Sequence, residues 1–365
     1  MKNKPERNTK SRLLYLDILR IVACLLVIGV HVSSVWIYAY SAGSFGFACS
    51  MFWNALSSIG PMVFFMLSGI VFLDDTAPDI PISGLWYKNI LRLLCAYLFW
   101  SCAYTVRAWW GYYPLNAETL RLFINEIFLG SPMYHLWFIP ALISIYVILP
   151  VLRPAFSKLK NCRYFVIYYL VLSYLIPLII DMDPTKEKLA GAAFSRFSFI
   201  SLGLYVFMFV LGKYLYSEKI ILPVRLALYA AGLILFAGTV HKGISASASE
   251  QGVTLSCWAD VNFPIMVFIA AFVLFFVSMQ KRVGRGPVFR GKADKLNGLV
   301  PALSKLTFGI YLIHPMFLGV FNDLFGRFYL PGIIRTPAEV LVIFAVCAAV
   351  IWVISKIPVL NKYII

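Results

Sequence analysis

The chain has 365 residues, of which 61% are hydrophobic and 13% are charged, with a formal net charge of +16 at pH 7. A soluble protein carries about twice that charged fraction, and apolar runs long enough to cross a bilayer recur along the sequence, so the composition excludes a soluble globular protein. No soluble basic domain is present to bind a phosphate backbone, so no nucleic-acid partner is expected.

The apolar runs predict an all-α, polytopic integral membrane protein with about ten transmembrane helices. In chain order, the predicted spans cover residues 13–38, 53–73, 86–110, 134–152, 164–181, 197–216, 222–240, 261–279, 304–325 and 337–355. They fall within one transmembrane domain at 13–357, which follows a basic leader at 1–12 and precedes a short tail at 358–365. The lipid bilayer is therefore an expected partner of nearly the whole chain.

The basic residues are unevenly distributed between the two sides of these spans. If the N-terminus lies in the cytoplasm, 22 of the 32 lysines and arginines fall on inner segments and 8 fall on outer segments. An excess of Lys and Arg on the cytoplasmic side is typical of membrane proteins. The distribution therefore predicts that both termini are cytoplasmic and that the protein crosses the cell (cytoplasmic or inner) membrane several times.

Two ionisable residues, Arg20 and His31, lie inside the first predicted span. Ionisable groups are costly at bilayer depth, so each is a candidate for function. Their separation of eleven positions makes about three helical turns, which places both side chains on one face, about 16 Å apart along the axis. We therefore expect both to line one passage through the membrane. A neutral imidazole can accept a proton from an alcohol, and a guanidinium suits phosphate or carbonyl oxygens.

Asp17 precedes Arg20 by three residues and has two interpretations. It either compensates the charge of Arg20 or supports the function of the arginine. The same two charges bear on whether the first span is a signal peptide that is removed. Because Asp17 and Arg20 interrupt the apolar run, we expect the span to be retained as a helix.

The second and third spans contribute three further candidates. Ser68 and Gly69 form a notch of small residues, which favours close helix packing or contact with a substrate over a serine nucleophile, since no base is evident beside Ser68. Arg92 is the second arginine near bilayer depth. Its side chain can either extend to the inner membrane surface or join Arg20 in a cationic site for phosphate.

The fourth and ninth spans carry the remaining candidates. His135 and Trp137 lie near the predicted outer surface, where they form either an interfacial aromatic belt or part of an acceptor-binding site. Tyr311 and His314 share a helix face, either lining a cavity or making structural hydrogen bonds. Pro315 cannot donate a hydrogen bond to the Tyr311 carbonyl, so the sequence predicts a kink there.

The seven cysteines show no metal-ligand spacing, so no metal site is expected. Most of them fall within the predicted spans, where cysteine commonly acts as a small apolar packing residue. Cys49 and Cys257 both map near the predicted outer face. These two residues therefore either form a disulfide or remain free thiols.

Four sequence motifs resemble those of one family. LDILRIVACLLVIGVH, FFMLSG, HLWFIPALISIYVILP and FGIYLIHP occur in this order, each on a predicted span, between Leu16 and the last helix. Together they resemble the membrane-bound acyltransferase family 3, whose bacterial members O-acylate surface glycans. The chain resembles the stand-alone type, which lacks an additional esterase-like domain.

The resemblance implies transfer of an acyl group, usually acetyl, from cytosolic acyl-CoA to a hydroxyl of an extracytoplasmic or lipid-linked glycan. Acyl-CoA would be a co-substrate, with no covalently bound cofactor, and a glycan or lipid-linked sugar would be the acceptor. The family's catalytic arginine and histidine fall on Arg20 and His31. Its other motif residues fall on Ser68, Gly69, Arg92, Tyr311 and His314.

An alternative function uses the same residues. A transporter or flippase of an anionic or lipid-linked substrate would also need Arg20, Arg92 and the histidines within the membrane, as binding and proton-relay groups. It would move its substrate without consuming acyl-CoA. The sequence leaves open the identity of the acceptor, the choice between acetyl and succinyl, the formation of a covalent acyl-enzyme, and the oligomeric state.

Overall fold

The structure is a computed structural model that describes residues 14–74, 81–114, 116–130, 132–177, 203–249, 253, 255, 258, 261–283 and 290–365. For residues 129, 280–283 and 290–297 it describes the backbone only. Among these residues every regular element is helical and none is a strand. The protein is therefore an all-α membrane protein. The predicted leader at 1–12 lies outside the described residues.

The described helices are numbered in chain order. They are α1 (Leu14–Ala39), α2 (Phe45–Ser57), α3 (Gly60–Phe72), α4 (Ile82–Leu85), α5 (Leu91–Trp109), α6 (Ala117–Leu129), α7 (Phe138–Phe156), α8 (Leu159–Leu170), α9 (Gly203–Ser217), α10 (Leu222–Ser249), α11 (Phe263–Val283), α12 (Arg290–Ile313), α13 (Pro315–Gly326), α14 (Gly332–Ile354) and α15 (Pro358–Tyr363). A π-helical turn at Trp86–Ile90 joins α4 to α5, and another at Val171–Leu175 extends α8. A 3₁₀ turn at Tyr134–Trp137 leads into α7.

Several of these elements are long and apolar enough to cross a membrane. Within the described residues there are six such segments, or seven if one bent pair counts as a single span: Leu14–Ala39, Phe45–Phe72, Ile82–Trp109, Tyr134–Phe156, Leu222–Ser249, Gly332–Ile354, and the bent pair Gly298–Ile313 with Pro315–Gly326. The fold is thus polytopic. The predicted count of ten is not confirmed. Two predicted spans, 164–181 and 197–216, extend into residues that are not described, and the apolar helix within the predicted span 261–279, Phe263–Met279, is shorter than the segments counted.

The predicted kink at Pro315 is a break between two helices. α12 ends at Ile313 and α13 begins at Pro315, with an angle of 82° between the two. The proline ring removes one N–H donor and prevents the helix from continuing straight. The predicted span 304–325 is therefore two helices that meet at His314.

The second span begins earlier than predicted. α2 starts at Phe45, eight residues before the predicted start at 53. The reason is local, because the Ser44 side chain accepts a hydrogen bond from the Phe47 N–H at 3.2 Å and so caps the helix. A break at Ser58 and Ile59 then separates α2 from α3.

The closest helix packing in the core joins α3 to α9. Gly69 faces the backbone of Phe209, and Gly212 faces the backbone of Met66, so that each helix presents a glycine to the main chain of the other. A Cβ atom on either glycine would overlap a carbonyl oxygen of the facing helix. Small residues at such crossings let membrane helices approach closely. Gly69 therefore serves this helix contact, as the packing interpretation of the notch predicts.

Replacing Gly69 with alanine should strongly destabilise the protein. The added methyl meets backbone atoms of Phe209, which cannot rotate away as a side chain can. We expect the thermal unfolding midpoint in detergent to fall by at least about 5 °C. Gly238→Ala on α10 is the matched control, because nothing lies within 4 Å of its added Cβ atom. Equal midpoints for the two variants would contradict this account of the α3–α9 contact.

Candidate functional site

The first candidate site is a cavity of about 300 Å³ at the Arg20 end of α1. Its wall carries three cations, Arg20, Lys88 and Arg92, and no acidic side chain is among its described lining residues. The rest of the wall is mostly apolar and aromatic. A cavity with this charge complements an anionic ligand, because the cations are only partly compensated within it. We call it the Arg20 cavity.

Arg20 is held in place by two side chains that do not line the cavity. Its Nη1 atom lies 3.4 Å from Asp17 Oδ1 and 3.3 Å from Ser304 Oγ, and the Ser304 hydroxyl donates to the same Asp17 oxygen at 2.6 Å. Asp17 is buried, whereas 33% of the Arg20 side chain remains exposed. Asp17 thus compensates and orients the guanidinium. The arginine keeps its exposed surface toward the cavity.

The other two cations come from the third span. The π-helical turn at Trp86–Ile90 brings Lys88 and Asn89 into the cavity wall, and π-helical turns recur at functional sites. The Arg92 Nη2 atom donates to the Ile365 carbonyl oxygen at 2.5 Å, and its guanidinium lies 5.6 Å from the centre of the Phe308 ring. Arg92 Nε has no hydrogen-bond partner among the described residues. That N–H is therefore buried and unpaired beside the cavity.

The second candidate site is a cavity of about 260 Å³ at the His31 end of α1. His31 and His135 lie in its wall, together with the polar side chains of Ser34, Asn54 and Ser58. We call it the His31 cavity. It contains no Lys, Arg, Asp or Glu among its described lining residues, so its chemistry is that of imidazole, hydroxyl and amide groups.

Three histidines meet at this second cavity. The His31 and His314 rings stack with their centroids 5.3 Å apart and an interplanar angle of 22°. His135 lies edge-on to His314, also at 5.3 Å. His31 is half-buried, whereas His135 and His314 are buried. His31 thus faces the cavity, and His314 lies behind it.

The helix break at His314 fixes the tautomer of that histidine. Pro315 leaves the Tyr311 carbonyl without its usual N–H partner, and His314 Nδ1 lies 2.7 Å from this oxygen. A carbonyl oxygen only accepts hydrogen bonds, so Nδ1 carries the proton and Nε2 holds the lone pair of the neutral ring. His314 Nε2 has no hydrogen-bond partner among the described residues.

His135 is placed by the 3₁₀ turn that precedes α7. The Tyr311 hydroxyl donates to the His135 backbone carbonyl, which ties this turn to α12. Neither ring nitrogen of His135 has a partner of standard hydrogen-bond geometry among the described residues, although the side chain is only 2% exposed and interacts with the Leu312 backbone. A neutral imidazole always carries one N–H. His135 therefore holds a buried N–H beside the His31 cavity.

Asn54 organises the polar wall of the His31 cavity. Its Nδ2 atom lies 3.0 Å from Ser33 Oγ, Ser34 Oγ and the Val30 carbonyl oxygen. Its Oδ1 atom accepts from the Trp258 indole N–H at 2.9 Å. This network joins α2 to the turn of α1 that carries His31. It thereby limits the movement of the histidine backbone.

The two cavities share two wall residues, Phe138 and Tyr311, whose ring centroids lie 5.6 Å apart. The single passage expected from the sequence is therefore two cavities, back to back along α1, with these aromatic rings between them. Arg20 and His31 lie in different cavities as a result. About three helical turns separate them, which corresponds to about 16 Å.

The other predicted residues are distributed over these cavities. Ser68 lies in the wall of the Arg20 cavity and donates its hydroxyl to the Phe64 carbonyl oxygen at 2.9 Å. Trp137 lies in the wall of the His31 cavity. Gly69 faces α9 instead. Cys49 forms no disulfide with a described cysteine, and Cys257 lies outside the described residues, so their pairing stays a prediction.

Sequence reasoning missed three polar groups. Lys88 was only counted among the basic residues of the inner side, and Asn54 was not singled out. Glu339 lies fully buried in α14, where its Oε2 atom accepts from the Trp36 indole N–H at 2.9 Å. The Arg335 guanidinium stacks 4.3 Å from the Trp36 ring. An acidic residue inside an apolar span was the signal that identifies Glu339.

The sequence model of the acyltransferase domain that defines acyltransferase family 3 matches residues 13–356, nearly the whole chain and every residue that lines the two cavities. Searches of curated proteins and of solved structures gave no match. The all-helical membrane fold agrees with the family match. The chain therefore belongs to the membrane-bound acyltransferase family 3.

Proposed function

We propose that this acyltransferase moves an acyl group, in the first place acetyl, from cytosolic acetyl-CoA to a hydroxyl of a glycan or lipid-linked sugar across the membrane. The observation that carries the proposal is the pair of cavities along α1, one cationic and one lined by histidines, which share Phe138 and Tyr311 in their walls. The positive-inside distribution supports a cytoplasmic position for the Arg20 end and a location in the cytoplasmic (inner) membrane.

The Arg20 cavity is the donor side in this proposal. CoA carries phosphate groups and a long pantetheine arm that ends in the thioester. Arg20, Lys88 and Arg92 supply the cations that a phosphate requires, and the apolar remainder of the wall suits the arm. The 16 Å between Arg20 and His31, about three helical turns, is comparable with the reach of that arm.

The His31 cavity is the acceptor side. His31, as general base, accepts the proton of the acceptor hydroxyl while the hydroxyl oxygen attacks the thioester carbonyl carbon. A C–O bond forms, the C–S bond of the resulting tetrahedral intermediate breaks, and the CoA thiolate takes up the proton held by His31. No oxidant or further reactant is needed. The thioester must pass the Phe138 and Tyr311 rings, so the acyl group or these side chains move before transfer.

His135 is the best placed donor for the oxyanion of that intermediate. Preorganised donors at this position commonly contribute a large part of acyl-transfer catalysis. The Tyr311 and Ser68 hydroxyls already donate to backbone carbonyls. The N–H of His135 is buried beside the cavity and makes no hydrogen bond of standard geometry among the described residues. His314, behind His31, positions that ring by stacking and is not assigned a contact with substrate.

Two measurements test this function. Purified protein in detergent should release free CoA from acetyl-CoA, slowly without acceptor and faster with it. Mass spectrometry of surface glycans should show an increase of ~42 Da per acetyl group in cells that make the protein, because acetyl replaces a hydroxyl proton. Succinyl-CoA in place of acetyl-CoA tests the choice of acyl group.

The same measurements separate the transporter alternative. A transporter or flippase would move an anionic or lipid-linked substrate while free CoA stayed at the level of a protein-free control. Reconstituted vesicles make this comparison direct, because substrate movement and CoA release can be followed in one sample. Movement without CoA release would refute the proposed function.

A further inference from the structure

A third cavity lies next to the His31 cavity and has no part in the chemistry described above. It has a volume of about 560 Å³, within the range of small-molecule sites. Its wall is rich in aromatic and hydroxyl groups and includes Trp137, Tyr169, Ser173, Tyr174 and Tyr205. We call it the aromatic cavity. None of its described lining residues is charged, which distinguishes it from the Arg20 cavity.

We propose that the aromatic cavity binds a sugar ring of the acceptor glycan next to the unit that is acylated. The proposal rests on the proposed function, because it assumes that the acceptor reaches the His31 cavity. It names a substrate subsite that begins beside the histidines and extends away from them. The acceptor that fits is a chain of at least two neutral sugar units.

The position of Trp137 connects the aromatic cavity to the histidines. Its side chain lies in the wall of both cavities and is 41% exposed. It shares the 3₁₀ turn at Tyr134–Trp137 with His135, so one short element carries a residue of each site. A ligand in the aromatic cavity therefore lies one side chain away from the His31 cavity.

The aromatic rings of the cavity are fixed by neighbours behind them. The Tyr205 ring stacks on Phe65 at 4.9 Å and lies 5.4 Å from the Trp137 ring. Tyr169 stacks on Phe207 at 4.0 Å with an angle of 11°. Rings held in this way present flat faces without a further loss of side-chain entropy on binding.

The chemistry of the wall favours a sugar over other ligands. A sugar ring has one face of C–H groups, which packs on aromatic rings, and a rim of hydroxyls, which exchange hydrogen bonds with Ser and Tyr hydroxyls. Ser173 and Tyr174 supply such hydroxyls. A phosphate would require cations, which are absent from the described part of this wall, and a hydrocarbon chain would make no use of its hydroxyls.

Ser173 and Tyr174 enter the wall through an irregular helix turn. They lie in the π-helical turn at Val171–Leu175, and such turns are frequent at functional sites. The Tyr174 hydroxyl donates to the Val261 carbonyl oxygen at 3.0 Å, which fixes the orientation of its ring. The Arg20 cavity is built in the same way, since Lys88 and Asn89 come from the π-helical turn at Trp86–Ile90.

The test compares acceptors of different length. Oligosaccharides of one to four units are prepared from the surface glycan that wild-type cells acylate, and transfer from acetyl-CoA is measured with the full chain in nanodiscs. For wild-type protein, KM should fall as the acceptor grows from one unit to two or more. Tyr205→Ala should raise KM for the longer acceptors about tenfold and leave the rate with the single sugar unchanged. Ser173→Ala should act in the same direction with a smaller effect.

Controls separate this inference from the proposed function. Tyr164→Ala on α8, whose side chain is 73% exposed, should behave as wild type with every acceptor. Slow CoA release without acceptor reports that each variant is folded and loaded with donor. If wild type releases no CoA, the proposed function fails, and the subsite with it. Three outcomes would refute the sugar subsite alone. Wild type could acylate acceptors of every length with the same KM, or Tyr205→Ala could change the KM for one-unit and longer acceptors equally. The third outcome is competition by a polyprenyl phosphate for the aromatic cavity.

Discussion

Replacing His31 with alanine is expected to lower the rate of acyl transfer by about 100- to 10,000-fold, the usual contribution of a general base. The imidazole faces the His31 cavity, and in the proposed function it accepts the proton of the acceptor hydroxyl. The side chain is half-buried and borders open volume, so its removal leaves a larger cavity and no buried unpaired group. Size-exclusion profile and thermal midpoint should therefore stay close to those of wild type.

The control for this substitution is His241→Ala. His241 is an exposed histidine on α10, outside both cavities, and its loss should change neither transfer nor stability. Transfer is measured as free CoA released in the presence of acceptor, with protein in detergent or nanodiscs. Acylation that persists in His31→Ala at the wild-type rate would remove His31 from the mechanism.

A second variant tests which of the two stacked histidines, His31 or His314, is the general base. His314 Nε2 also holds a lone pair, but the ring is fully buried behind His31. An asparagine at 314 can still donate from Nδ2 to the Tyr311 carbonyl oxygen, which preserves the hydrogen bond at the helix break. We expect His314→Asn to retain measurable transfer. A folded His314→Asn protein as inactive as His31→Ala would assign the base to His314.

The fold class could be predicted from the sequence because the thickness of the bilayer sets the length of the apolar runs that cross it. Apolar runs of the required length identify helices, and a proline beside a mid-membrane histidine identifies the break at His314. Helix ends were harder to predict. Ser44, which caps α2, lies in a segment that the sequence predicts to be an outer loop. The start of α2 was missed because the cap depends on one local hydrogen bond and not on hydropathy.

The pairing of residues within the candidate site was only partly predictable. The face shared by Arg20 and His31 follows from the helix repeat. The partners that hold these residues come from distant parts of the chain, as Ser304 does for Asp17 and Arg20. His135 illustrates the same limit, since its position near the end of a span left open an interfacial belt and an acceptor-binding site. The 3₁₀ turn and the Tyr311 contact bury it beside the His31 cavity.

The division of the passage into two cavities could not be predicted from the sequence either. Phe138 and Tyr311 are ordinary aromatic residues of apolar spans, and nothing in their spacing indicates that their rings meet. They come from α7 and α12, whose relative positions depend on packing of the whole bundle. A helix repeat identifies which side chains share one helix face. It does not identify which residues of other helices close that face.

Arg20→Ala is expected to weaken binding of CoA by about 10- to 100-fold, the loss typical of a charge-assisted hydrogen bond. The guanidinium is oriented by Asp17 and Ser304 and keeps a third of its surface exposed in the wall of the Arg20 cavity. Affinity for CoA is measured by calorimetry in nanodiscs. Arg121→Ala on the exposed surface of α6 is the matched control and should bind CoA as wild type does.

Donor truncation shows which part of CoA contacts Arg20. If the arginine binds a phosphate, Arg20→Ala should have no effect on the affinity for acetyl-pantetheine, which lacks the nucleotide and its phosphates. If it binds a pantetheine carbonyl, the affinities for both donors should fall together. Raised salt should weaken CoA binding to wild type more than to Arg20→Ala, because the lost interaction is ionic. Unchanged affinity of Arg20→Ala for both compounds would exclude Arg20 as a donor-binding residue and leave Lys88 and Arg92 as the cations of that cavity.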